Sequence, residues 1–187
     1  MSYLHPFAAL WLPTLLSAVA VFILSALVHM VVRWHSNDQV KLPNEDAVAN
    51  ALESVPAGDY RLPWADGMEH MKDPAYIAKA NKAMAIVTVM RGDMMGSFRN
   101  ALIQWFIYSL VVSTLAGHIA YGSHHENPEP WHIFHTVALA AWLGYGMAIA
   151  QQPIWGGKPW KPAIKSMVDS LFYAAVTGAI FVWRWPS

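Results

Sequence analysis

The stretch FAALWLPTLLSAVAVFILSALVHMVV, residues 7–32, carries no formal charge and a single histidine. A helix needs roughly 20 apolar residues to cross the hydrocarbon of a bilayer, so this run reads as a membrane-spanning helix. Pro13 sets the expected start of the spanning helix near Thr14 and leaves Trp11 at the interface. Three further runs share the pattern, giving spans at about 14–33, 101–121, 131–150 and 164–183, the last with one acid, Asp169. The expected fold is an all-α membrane protein. It is a four-transmembrane-helix bundle forming one membrane domain over 1–187, with a partly helical cytoplasmic insertion, 34–99, between the first two helices. No basic residue precedes the first span and no small-residue cleavage motif follows it, so it does not read as a cleavable signal.

Composition agrees. Of 187 residues, 56% are hydrophobic and only 13% charged, about half the charged fraction usual for a soluble domain. The formal net charge is zero, which argues against nucleic acid as a partner, because that needs a basic surface. Cysteine is absent, excluding disulfides, thiolate metal sites and a cysteine nucleophile.

Basic residues give an orientation. Arg33, Lys41, Arg61, Lys72, Lys79, Lys82, Arg91 and Arg99 flank or lie in the insertion, and Lys158, Lys161 and Lys165 lie between the third and fourth spans. Only Arg184 falls on the opposite face, so both termini are expected outside and the insertion in the cytoplasm. Tryptophans favour the headgroup level. Trp11, Trp131, Trp183 and Trp185 mark the outer boundary, while Trp34, Trp105, Trp155 and Trp160 mark the inner one.

Within the insertion, Leu42-Pro43-Asn44-Glu45-Asp46 predicts a helix with Asn44 as N-cap, running to about Ser54 and ended by Pro56-Ala57-Gly58. Asp73-Pro74 opens a second helix. Ala83 to Met90 is apolar, and Gly92 and Gly96 loosen the chain before the second span. The loop from Gln151 to Pro162 reads as a rigid interfacial turn. Among the spans, Ala140, Gly144 and Ala148 form a small-residue stripe on the third, and Ala174 and Gly178 form one on the fourth. Such stripes let membrane helices approach closely, which predicts contact between these two.

Three sets of side chains bear on chemistry. His29 lies one turn before Arg33, with Ser25 on the same face, and Asp169 lies one turn into the fourth span, with Tyr173 and Thr177 above it. Both ionisable groups fall at the inner ends of their spans, where pairing of Asp169 with His29, Arg33 or Lys165 offsets the cost of burial. That set reads either as a helix-locking pair or as a site for a proton, metal or headgroup. The outer histidines are the second set: His118, His132 and His135, with His124, His125 and His5 nearby. Imidazoles suit zinc or copper, Glu126 or Glu129 offers a further ligand, and a bis-histidine haem b is a further alternative. The competing reading is headgroup anchoring. Third, Met68, Met71, Met84, Met90, Met94 and Met95 with His70 hint at copper(I), against methionine's commoner use as packing material.

The stretch from His29 to His35, followed by Leu42 to Asp46, resembles small bacterial membrane proteins of no established activity. Asp169 to Tyr173 with Trp183 to Pro186 resembles the same group. The resemblance implies a bacterial inner-membrane setting and supplies no mechanism. No catalytic motif, dinucleotide fingerprint or internal repeat is present. The leading expectation is therefore a non-enzymatic accessory or structural subunit, bound by lipid and by protein partners or by copies of itself, with no cofactor. The alternatives are a metal- or haem-binding protein using the outer histidines, and a small proton-coupled transporter around Asp169 and His29.

Overall fold

The computed structural model describes residues 5–186, with side-chain surroundings from Ala8 onward. Among them are four helices long and apolar enough to cross a membrane: Ala8–Val31, Met94–His124, Pro130–Gly156 and Trp160–Trp183. The chain divides into two units, one of residues up to Gln39 together with Phe98 onward, the other Val40–Ser97.

In the first unit, α1 (His5–Ala26) continues into one π-helical turn, Leu27–Val31. Pro13 lies inside α1 and is fully buried, so the helix begins well before Thr14. Proline is tolerated within a membrane helix when packed neighbours and local adjustment re-satisfy the freed backbone. The spans α4 (Met94–His124), α5 (Pro130–Tyr145) and α7 (Trp160–Trp183) complete this unit. After α5 the chain passes through a 3-10 turn, Met147–Ala150, and a short α6 (Gln151–Gly156), which occupies much of the expected interfacial turn.

Polarity is inverted relative to a soluble bundle. Large aliphatic and aromatic side chains such as Ile23, Leu115, Ile119, Leu143 and Phe172 are exposed, while Ser17, Ser109, Ser113, Ser170 and Thr177 are almost wholly buried. Ser109 and Thr177 donate back to the carbonyls of Trp105 and Tyr173, four residues earlier, which satisfies a hydroxyl within its own helix. Lipid is as apolar as leucine, so interfaces between membrane helices select small and hydroxyl side chains instead. This pattern makes sense only with hydrocarbon outside.

The predicted contact between the third and fourth spans is present, with one change. A Cβ at Gly178 would lie 3.0 Å from the Phe134 carbonyl and 3.1 Å from Ala138 Cβ, so α7 meets α5 backbone to backbone. On α5, however, the buried row is Ile133, Val137, Ala141 and Tyr145, not the Ala140 stripe. Gly144 instead faces Val112 of α4. Ala148 is exposed because Gly146 ends α5 before it.

In the second unit, α2 (Glu45–Leu52) and α3 (Pro74–Lys82) stand near where the sequence places them. Asp73 caps α3 by accepting from Ala75 N–H at 2.7 Å. Asn44 occupies the N-cap of α2 in the left-handed region, φ 57°, without a side-chain cap bond. The sequence pattern missed an antiparallel pair, β1 (Gly58–Leu62) and β2 (Ala85–Val89), in the register Gly58 opposite Val89 and Leu62 opposite Ala85. The Arg91 guanidinium donates to the carbonyls of Leu52, Glu53 and Val55, tying the end of α2 to the segment after β2. Arg91→Ala is expected to cost this unit about 1–2 kcal/mol. Hydrogen exchange on the intact protein should show it as faster exchange confined to Val40–Ser97.

Candidate metal centre at one end of the bundle

The π turn sets the site. In it, Val32 N–H bonds to the Leu27 carbonyl at 3.0 Å, five residues back, a widened turn frequent at functional positions. His29 sits in this turn, and its Nδ1–H donates to the Ser25 carbonyl at 2.9 Å. That bond fixes the tautomer and leaves the Nε2 lone pair free to act as a ligand. Arg33 then takes φ 53°, which reverses the chain. Two backbone bonds, Ser36 N–H to the Arg33 carbonyl and Asp38 N–H to the His35 carbonyl, both 3.0 Å, close the turns that follow. The reversal brings the His35 ring under that of His29, with centroids 4.7 Å apart and planes within 2° of parallel.

His35 is the hub. Its Nδ1 bonds Asp38 at 2.5 Å and its Nε2 bonds Asp169 of α7 at 2.6 Å. Carboxylates only accept, so both ring nitrogens carry protons and the ring is an imidazolium. Burial alone lowers its pKa, but the hydrogen bonds to Asp169 and Asp38 outweigh it, and the net shift is upward. The other Asp38 oxygen is held by Lys165 at 2.5 Å. The Lys165 bond is the leading cause of a lowered Asp38 pKa; partial desolvation opposes it and His35 adds to it. Lys165 also donates to the Trp34 carbonyl at 2.9 Å. Asp169 and Lys165 lie four residues apart, on one face of α7. The result is a chain of alternating charge, Lys165–Asp38–His35–Asp169, nearly removed from water: the four side chains are between 7% and 15% exposed.

One ligand atom each from His29, His35 and Asp169 lie within 4.8 Å of one another, and no other such group of three occurs among the described residues. Beside them is a cavity of about 360 Å³. His29, Ser166 and Asp169 form its polar end, and Trp105, Tyr145 and Tyr173 form an aromatic wall. Each pair of these three rings has centroids 6.0 Å apart. Trp105 Nε1–H donates to the Ser25 hydroxyl oxygen at 2.9 Å, and that hydroxyl donates on to the Phe22 carbonyl. The indole therefore holds the helix turn below His29.

The expected meeting of His29 and Asp169 is observed, but Asp169 pairs with His35. Lys165 serves Asp38, and Arg33, exposed, contributes through its backbone turn. His35 and Asp38 were missed. Of the eight tryptophans expected at the interfaces, Trp11, Trp34, Trp131, Trp155, Trp160 and Trp183 are exposed, whereas Trp105 and Trp185 are partly buried against the core.

Among the described residues, no three of the outer histidines bring their ligand atoms together. His124 shares a hydrogen bond with Thr136 at 2.9 Å and stacks on His132. His135 lies against Trp131, and His118 lines a separate cavity with Leu10, Trp11 and Thr14. The side chain of His5 lies outside those described. Met68, Met84, Met90, Met94 and Met95 are strongly exposed along the chain, each at least two-thirds.

Comparison with known protein families, with characterised proteins and with solved structures finds no match to this chain.

Proposed function

We propose that this chain is a small polytopic membrane protein that binds a divalent first-row metal ion through His29, His35 and Asp169. The observation that carries the reading is the uncommitted His29 Nε2. A lock between α7 and the chain after α1 is complete with Lys165, Asp38, His35 and Asp169 alone. A second imidazole, tautomer fixed and lone pair free, adds nothing to such a lock, yet it stands within ligand distance of the other two groups. Two imidazoles and one carboxylate are the ligand set of catalytic zinc sites and of non-haem iron(II) sites, both of which keep positions open for a further ligand. Asp38 bonded to His35 Nδ1 supplies the carboxylate–histidine support usual behind a ligating imidazole. A bound ion would be held by His29, His35 and Asp169, and His35 would give up its Nε2 proton to act as a ligand.

The proposed setting is the bacterial inner membrane with both termini outside. The grouping of Lys and Arg and the two sets of exposed tryptophans support the orientation, and the resemblance to small bacterial membrane proteins supports the setting.

Protein purified in mild detergent without chelator is expected to carry about one metal ion per chain by elemental analysis. Chelated protein is expected to bind cobalt(II) or zinc(II) with the same stoichiometry, releasing about one proton per ion. Calorimetry in buffers of different ionisation enthalpy measures that proton. Preparations that stay metal-free and bind neither ion stoichiometrically overturn the reading.

A further inference from the structure

The metal centre and the cavity adjoin, and their combined chemistry specifies a ligand. A divalent ion held by two neutral imidazoles and the Asp169 carboxylate leaves a single net positive charge, since Lys165 and Asp38 cancel each other. Asp169 is only 7% exposed, and an unbalanced charge beside a largely apolar cavity is costly. A monoanionic oxygen donor in an open coordination position neutralises it. The remaining walls are mostly apolar and aromatic, from Ala101, Leu102, Trp105, Tyr145, Ile149 and Tyr173, whose buried hydroxyl has no hydrogen-bond partner among the described residues. Ala101 and Leu102 are also exposed, so the cavity reaches the surface of the bundle along α4. Its volume, about 360 Å³, is at the lower end of the range for small-molecule sites and suits a headgroup with the first part of an apolar chain.

We propose that the open coordination position takes the anionic oxygen of an amphipathic molecule whose apolar body occupies this cavity. This rests on the metal-binding reading above. A fatty carboxylate dissolved in the bilayer and the phosphodiester of a membrane lipid both offer that chemistry, and experiment distinguishes them.

The test uses the full chain in amphipol, zinc-loaded or chelated, with radiolabelled decanoate in equilibrium dialysis, decanol as the uncharged control, and phosphorus analysis for retained lipid. Decanoate is expected to bind at least about ten-fold more tightly to the zinc form, with decanol showing no dependence on zinc. Ala101→Trp or Leu102→Trp, each filling the cavity from an exposed position, is expected to lose decanoate while zinc stoichiometry holds. Stoichiometric lipid phosphorus retained only with zinc, and blocking decanoate, assigns the position to a headgroup. Equal binding of decanoate and decanol, or zinc binding with neither decanoate nor lipid phosphorus, overturns this inference and leaves the metal centre standing. Failure to bind zinc removes both.

Discussion

His29→Ala is expected to weaken zinc binding about a hundred-fold while leaving the helices folded. Structural zinc sites with four ligands are worth about 10–16 kcal/mol, so one ligand supplies about 3 kcal/mol, or two orders of magnitude. The folded state survives because His29 is exposed and its one hydrogen bond goes to the backbone of its own helix. Lys165–Asp38–His35–Asp169 is untouched by the change. Asp169→Asn gives the informative contrast. It also removes a ligand, but it leaves the His35 imidazolium facing an amide, so stability falls together with zinc affinity. Isothermal titration with zinc, alongside helicity by circular dichroism, separates the two. If His29→Ala retains wild-type affinity, His29 is no ligand and the proposed centre reduces to the helix lock.

The difference between what sequence revealed and what it hid follows from periodicity. A charge-free run of 26 residues such as 7–32 declares a span whatever its neighbours do, and an acid such as Asp169 in the last span demands a partner at the same depth. Both features were legible, and so was the approach of α7 to α5 through Gly178. His35 and Asp38 were not, because they follow a reversal at Arg33. A non-glycine residue at positive φ leaves no compositional mark, and without it Trp34 onward reads as featureless loop. The available hint was local: His35 and Asp38 are three apart, the spacing of a turn that lets one side chain bond the next. The β1–β2 pair was hidden for another reason. Gly58, Asp59 and Arg61 have little strand preference, and every residue of β1 is exposed. Pairing with β2, across a long connection, makes β1 a strand, and local propensity carries no information about that. The small-residue stripe on the third span misled for a third reason. Gly146 turns the chain out of α5, so Ala148 leaves the face that Ala140 and Gly144 suggested.

Gly117→Ala is expected to destabilise the bundle by about 2–3 kcal/mol, a large effect for one methyl group. The position lies on α4 against Phe181 of α7. A Cβ there would overlap the Phe181 ring, which is fully buried and is the largest such side chain among those described. In a bilayer the transfer part of the hydrophobic effect between helices is absent, because lipid is equally apolar. Packing remains, and a ring seated on a glycine has nowhere to move without parting α4 from α7. Phe181→Leu alone leaves a void and costs about 1–2 kcal/mol. The double variant supplies the decisive comparison: the smaller side chain makes room for the new methyl. Its destabilisation is therefore expected to fall short of the sum of the single changes by about 1 kcal/mol or more. Reversible unfolding in mixed micelles with increasing SDS measures all three. Strict additivity would mean that α4 and α7 do not meet at this pair, and the seating of α4 on Phe181 would have to be abandoned. Zinc affinity supplies the link to the site. Trp105 anchors Ser25 below His29 from the same helix that Gly117 seats. A bundle loosened at Gly117 is accordingly expected to lose some zinc affinity, which Phe181→Leu in the double variant partly restores.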